Sequence, residues 1–200
     1  MQESQVFLLD DEEPVVAALA RMLRGAGFVT RSWTSAEEFL AAHQAETPGC
    51  LVSDIRMPGI DGLELQRVLQ ARGIERPIVF ITGLPDIRVA VQAMKAGAVT
   101  YLAKPVQREE LIAAVREAIA QDAARRARRS AQHELASRLA SLTPREREVL
   151  GLLASGLLTK QIAAELGAAE KTIKVHRGRI MEKMRVRTAT ALVGLLTRTQ

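Results

Sequence analysis

Short apolar runs, each leading into a chemically active residue and separated from the next by an amphipathic stretch, set the tightest limit on how this chain folds. Val6-Phe7-Leu8-Leu9 leads into Asp10-Asp11, and Cys50-Leu51-Val52-Ser53 into Asp54. Ile78-Val79-Phe80-Ile81 leads into Thr82, and Val99-Thr100-Tyr101-Leu102 is followed closely by Lys104-Pro105. Apolar runs of that length, bounded by turn residues, are the pattern of strands buried on both faces of a parallel sheet. Between them apolar residues return at helical spacing, as at Val15, Val16, Leu19, Met22 and Leu23, with Gly25 and Gly27 behind them. Ser35 with Glu38, and Asp61 with Glu64, form capping boxes that open two further helices. Asp86 opens another over 87–96, Gly97 closes it as a C-cap glycine, and a last helix begins near Gln107.

With 28–33 as a fifth strand, the alternation predicts an α/β fold: a doubly wound parallel sheet of flavodoxin-like (βα)5 type, strand order 2-1-3-4-5. In such a sheet the strand C-termini converge on one crevice, so Asp10, Asp11, Asp54, Thr82 and Lys104 meet there. Carboxylates at one locus repel each other, and a divalent cation relieves that cost. Mg²⁺ takes oxygen ligands and commonly uses one or two carboxylates together with phosphate oxygens. Asp54 is the natural nucleophile for an aspartyl-phosphate. The Lys104 ammonium offsets charge on a moving phosphoryl group, and the Thr82 hydroxyl donates to its oxygens. Pro105 has no N–H to donate and shapes the Lys104 loop.

The second part of the chain has a different character. Residues 1–122 hold 12 Lys/Arg against 17 Asp/Glu, whereas 123–200 hold 16 against 6, so the net charge of +5 joins an acidic portion to a strongly basic one. That asymmetry fits a polyanion-binding module or a solubilising surface. Residues 107–139 contain no Gly or Pro, but the apolar face of Ile112, Val115 and Ile119 runs on into Asp122, Arg126 and Arg129. This reads as an exposed helical linker, frayed around 125–130, whose Arg125-Arg126 and Arg128-Arg129 pairs are a solvated face or phosphate contacts. The expected divisions are 1–122, a linker over 123–140, and 141–200.

Thr143, Pro144 and Glu146 provide N-cap, N1 and N3 of a clear helix start. Further helices are expected over 160–166, capped by Thr159, over 170–184 and over 189–197. The helices on either side of Gly167-Ala168-Ala169 match a helix-turn-helix. In the helix over 170–184, Ile173, Ile180 and Met184 face the core, Val175 being less settled, while Lys171, Lys174, Arg177, Arg179 and Lys183 crowd the remainder. A basic helix after a tight turn suits the DNA major groove. Lys174, Val175 and Arg177 are expected to reach the groove, with Thr172 beside them, and Lys160, Lys171 and Arg179 to meet phosphates; His176 is expected to pack and hydrogen-bond instead.

No apolar stretch is long enough to span a membrane, and no secretion signal is visible at the N-terminus, so a cytoplasmic location is expected. Cys50, alone and within a strand pattern, reads as a buried small hydrophobe.

Asp10-Asp11, the run Asp54-Ile55-Arg56-Met57-Pro58-Gly59-Ile60-Asp61-Gly62, Thr82-Gly83, the segment 93–98 and Tyr101-Leu102-Ala103-Lys104-Pro105 together resemble the receiver domain of two-component response regulators over about 4–122. The string from Leu142 to Leu150, Gly156, Lys160-Gln161-Ile162-Ala163, Leu166-Gly167 and Lys171 to Arg177 resembles the four-helix LuxR-type DNA-binding domain over about 141–200. Joined, the halves resemble the FixJ/NarL subfamily. The resemblance implies that Asp54 accepts phosphate from a cognate sensor histidine kinase. Asp11, Asp54 and the Arg56 carbonyl would bind Mg²⁺, with Asp10 acting through water. Thr82 and Tyr101 would be a switch pair, although an aromatic on an edge strand is also plain packing. Implied partners are a duplex operator, RNA polymerase and a second copy of the chain on activation.

Four positions depart from the family pattern: Leu84-Pro85 after Thr82-Gly83, Ala169 where a Ser or Asp would cap the recognition helix, and Gly178 inside that helix. Gly178 leaves an often side-chain-bearing groove position empty. Two other readings stand beside this one. A phosphoryl-transfer enzyme of the haloacid dehalogenase type also uses an Asp nucleophile and Mg²⁺, but its motif follows the first strand, where this chain reads Asp10-Asp11-Glu12. A DNA-binding regulator whose receiver acts independently of phosphorylation is the other.

Overall fold

Strands β1 (Gln5–Leu9), β2 (Val29–Trp33), β3 (Gly49–Asp54), β4 (Ile78–Thr82) and β5 (Thr100–Ala103) form one parallel sheet in the order β2-β1-β3-β4-β5, as the alternation predicts. The computed structural model describes residues 4–42, 45–83 and 86–197, so Leu84-Pro85 lies outside the described residues. The chain divides into two units, Met1–Arg126 and Ala127–Gln200.

In the first unit, successive side chains along each strand point to opposite faces. Val6, Leu8, Val52, Val79 and Ile81 pack with Leu19 and Leu23 of α1 (Glu13–Arg24) and with Leu111 and Val115 of α5 (Arg108–Ala140). Phe7, Leu9, Leu51 and Phe80 pack on the other face with Phe39 of α2 (Ala36–Ala42), Leu65 and Leu69 of α3 (Gly62–Ala71) and Ala93 of α4 (Ile87–Lys95). Covering both faces is why the central strands read as unbroken apolar runs. The N-cap bond of each predicted cap forms, without a return bond from Glu38 or Glu64 among the described residues: the Glu38, Glu64 and Arg88 amides donate to Ser35, Asp61 and Asp86 side chains at 3.1, 2.7 and 2.7 Å. Gly49 has φ +139°, and a Cβ there would lie 1.8 Å from the Gln5 carbonyl oxygen, so the β1–β3 register requires glycine at that point.

The stretch beyond the fifth strand is exposed over 127–134, but the expectation of a frayed, exposed face needs correction at 122–126. Helix α5 runs unbroken from Arg108 to Ala140, and Asp122 within it is only 2% exposed. Asp122 Oδ2 accepts from the Gly49 amide at 2.9 Å and from Arg126 Nε at 2.7 Å, and Oδ1 accepts from Arg125 at 3.0 Å. Arg126 also donates to the carbonyls of Ala45, Glu46 and Thr47, and buried Arg76 donates to those of Thr47 and Gly49. The loop entering β3 therefore has its carbonyls capped by guanidinium donors, which a solvated-face reading of Arg125-Arg126 misses.

The second unit contains α6 (Pro144–Ala154), α7 (Thr159–Glu165), α8 (Glu170–Met184) and α9 (Ala189–Thr197), packed around Val149, Leu153, Ile162, Ile173, Ile180 and Leu192. The capping box opens α6 as predicted. At α7 the N-cap is Leu158 rather than Thr159: Gln161 Oε1 accepts from the Leu158 amide at 2.8 Å, which moves the start one residue earlier. Ala169 does cap α8 without a side-chain bond. The last turns of α5 belong to this core. Leu135 is buried in it, Arg138 donates to the Met184 carbonyl at 3.1 Å, and Glu134 accepts from both Arg138 and Arg185.

Candidate functional site

The strand register places the candidate chemistry at one end of the sheet. Leu9 pairs with Ser53, Asp54 with Ile81, and Thr82 with Ala103, so Asp10, Asp54, Thr82 and Lys104 follow one another across four adjacent strand ends. Asp10, Asp54 and Thr82 are buried and Asp11 is exposed. Lys104 Nζ lies 2.7 Å from Asp10 Oδ2 and 2.8 Å from Asp54 Oδ2, with Glu12 at 3.9 Å. The Lys104 amide donates to the Thr82 carbonyl at 2.7 Å, and the Lys104-Pro105 peptide is cis. Asp54 Oδ1 accepts from the amides of Ile55 at 2.6 Å and Arg56 at 3.3 Å. One carboxylate oxygen of Asp54 is thus fixed by backbone and the other faces the ammonium.

The electrostatics follow from burial opposed by pairing. Burial pushes the Asp10 carboxyl above its usual range, although contact with Lys104 and the Glu12 amide works against it. Burial works to lower Lys104, but its bonds to Asp10 and Asp54 prevail and raise it, so the ammonium stays charged. Asp10, Asp11 and Asp54 each offer an oxygen ligand, all within 4.8 Å of one another. A cluster of hard, anionic oxygen donors fits Mg²⁺.

Tyr101 packs, half-buried, beside the α2–α4 core, and its phenol oxygen accepts from the Asp86 amide at the N-cap of α4, 3.2 Å away. One face of α4 carries exposed Ile87, Val91 and Met94.

In the second unit Lys160, Lys171, Thr172, Lys174, Val175 and Arg179 are exposed. Val175, at 49% exposure, is outside the core. Arg177 is half-buried and donates to Thr159 Oγ1 across to α7. His176 is half-buried, and its Nδ1 has no hydrogen-bond partner among the described residues, against the expectation for it. Lys183 stands apart from the other basic residues of α8, because its ammonium binds Glu146 at 2.7 Å and the Ser141 carbonyl at 3.0 Å. Helical periodicity carries no signal for that pairing, since the partners lie 37 and 42 residues away.

Residues 6–116 match the response regulator receiver domain, and residues 140–196 match the bacterial regulatory proteins of the luxR family. The chain belongs to the FixJ-like response regulators. It is 42% identical to nodulation protein W of Bradyrhizobium diazoefficiens over 95% of this chain and 84% of that protein. It is 40% identical to the transcriptional regulatory protein FixJ of Azorhizobium caulinodans over 95% and 90%. Among solved structures, the response regulator StyR superposes with a TM-score of 0.92 at 45% identity, covering 98% of this chain and 99% of that one. Response regulators of this type are transcription factors rather than enzymes, and their receiver is a phosphoryl acceptor, which sets aside the dehalogenase-type reading. No helix among the described residues is long and apolar enough to cross a membrane.

Proposed function

We propose that this response regulator takes a phosphoryl group on Asp54 from a cognate histidine kinase and thereby gains affinity, as a dimer, for a duplex operator. The carrying observation is the Asp54 carboxylate, with Oδ1 held by two amides and Oδ2 turned to the Lys104 ammonium. Oδ2 is the attacking oxygen. A bond forms from it to phosphorus as the bond to the donor's histidine nitrogen breaks, and the donor keeps that electron pair. Asp10, Asp11, Asp54 and the Arg56 carbonyl would hold Mg²⁺, which supplies positive charge against the phosphoryl oxygens. Lys104 exchanges its carboxylate contact for a phosphoryl oxygen, and the Thr82 hydroxyl donates to another. Movement of Thr82 draws Tyr101 inward, which releases the Asp86 amide at the start of α4.

Phosphorylation then shifts a pre-existing equilibrium rather than building a new fold. The α4–β5–α5 face, with Ile87, Val91 and Met94 exposed on α4, is the proposed dimer surface. A dimer raises the effective concentration of paired DNA modules on a pseudo-palindromic site. Lys174, Val175 and Arg177 reach into the major groove beside Thr172, and Lys160, Lys171 and Arg179 meet phosphates; binding places the regulator beside RNA polymerase in the cytoplasm. The working divisions are a receiver over 1–122, a helical linker over 123–140 and a DNA-binding domain over 141–200.

The test is selection from a randomised duplex pool with and without acetyl phosphate and Mg²⁺, alongside Asp54→Asn. A symmetric motif enriched only by phosphorylated wild type is the expected result. Equal enrichment by all samples would sink the switch at Asp54 and leave a DNA binder whose receiver acts without phosphate.

A further inference from the structure

Gly178 is the position of α8 where the chain gives up the most helix stability, with no internal return. Its neighbours at i−4, i−3 and i−7 are Lys174, Val175 and Lys171, all exposed. At about 100° per residue these four positions lie opposite the line of Ile173, Ile180 and Met184, which are fully buried. Gly178 is itself exposed, and an added Cβ would meet no heavy atom within 4 Å. Its φ is not in the left-handed range, so no backbone conformation calls for glycine. Alanine would fit and would favour the folded form roughly fivefold. Nothing in the unit itself asks for the missing side chain.

We infer that Gly178 is a close-approach position, where the backbone of α8 lies against the sugar-phosphate or base edge of bound duplex DNA with no room for a Cβ. Glycine is the residue that allows a backbone to reach a ligand at that distance. The flanking groups are arranged for it, with the Lys171 and Lys174 ammoniums and the Val175 methyls one to two turns earlier on the same exposed stripe. Glu182 is exposed one turn later, so the favourable field covers the N-terminal part of the helix, the part that enters the groove in helix-turn-helix proteins. The inference rests on the DNA-binding function proposed above and assigns Gly178 a part in choosing the site. Side chains at this position set how deep the helix sits, and with it which base edges Lys174 and Val175 reach.

The chain supplies its own control. Gly151 on α6 is also exposed, and an added Cβ there also meets nothing within 4 Å, but it lies off the α8 stripe. Gly178→Ala and Gly151→Ala should each raise the far-ultraviolet melting midpoint of the C-terminal unit by about 4–8 °C. Binding is read by fluorescence anisotropy on a labelled 30-base-pair duplex carrying the sequence that wild type enriches, with acetyl phosphate and Mg²⁺ present. Gly178→Ala should bind at least about tenfold more weakly and Gly151→Ala as wild type does. Gly178→Ala binding within twofold of wild type would overturn the inference while leaving the proposed function intact, and so would a lowered melting midpoint for Gly178→Ala. Failure of wild type to bind any duplex would overturn both.

Discussion

Replacing Glu146 with alanine should unfold the C-terminal unit far more readily than its place on a surface helix implies. Glu146 is only 2% exposed. Its Oε2 accepts from the Thr143 amide at 2.9 Å, which completes the cap of α6, and from the Lys183 ammonium at 2.7 Å, which ties α6 to α8. Loss of the cap costs about 1 kcal/mol. Lys183 then loses its counter-charge, but its side chain is one-third exposed and rehydrates in part, so this adds about 1–2 kcal/mol rather than the full cost of a buried orphan charge. A total of about 2–3 kcal/mol lowers the midpoint of a domain this size by on the order of 10–20 °C. The aromatic residues make the assay clean, because Trp33, Tyr101 and all four Phe lie in the first unit. Trp33 fluorescence therefore follows the receiver alone, whereas far-ultraviolet circular dichroism follows both units. Glu146→Ala should move the dichroism transition and leave the Trp33 transition in place. Glu148→Ala is the comparison: its exposed pair with Arg145 is worth at most about 0.5 kcal/mol. If Glu146→Ala shifts the dichroism no further than Glu148→Ala, the reasoning from burial and pairing is wrong.

The same carboxylate sets an acid limit. The Lys183 bond, followed by the Thr143 amide, holds Glu146 down at about 2 from 4.5, so its contribution is complete above about pH 4.5 and lost as pH falls toward 2. Acid titration of the dichroism midpoint should show that loss in wild type and a flatter profile in Glu146→Gln. Asp122→Ala should lower the Trp33 transition, by about 2–4 kcal/mol, because the Gly49 amide and two guanidiniums lose their acceptor; an unchanged urea midpoint would refute the anchor. Cys50 is fully buried and burial pushes its thiol up to about 12, so a thiol reagent should label it only as the Trp33 transition proceeds. Labelling within seconds in native buffer would contradict that packing.

Elements with local causes were legible. The runs at Val6–Leu9 and Ile78–Ile81 announce strands because both sheet faces are covered, and the Thr143-Glu146 box announces α6 because donor and acceptor lie three residues apart. The acidic cluster was legible for a related reason: parallel topology brings strand C-termini together whatever lies between them, and Asp10, Asp11 and Asp54 do fall within reach of one another. Pairings made across sequence were not. Asp122 and Arg126 read as part of an exposed face and Lys183 as one more basic residue of the DNA-facing helix, since a hydropathy pattern holds no record of partners 37 to 81 residues away. Thr159 misled because the Gln161 side chain accepts from the amide one residue earlier, at a Leu with no capping group of its own.

The Lys104 bridge also bears on how the receiver tolerates its surroundings. Asp10 and Asp54 close neighbouring strands, and without an opposing charge their repulsion would pry the C-terminal ends of β1 and β3 apart. With an ammonium built into the chain at 2.7 and 2.8 Å from them, the pocket brings its own counter-ion to the folding reaction. Shape and reactivity are thereby drawn from separate sources. A chelator that strips divalent ions from the medium should silence phosphoryl uptake while the sheet keeps its melting point, so the regulator waits folded through any lapse in cation supply.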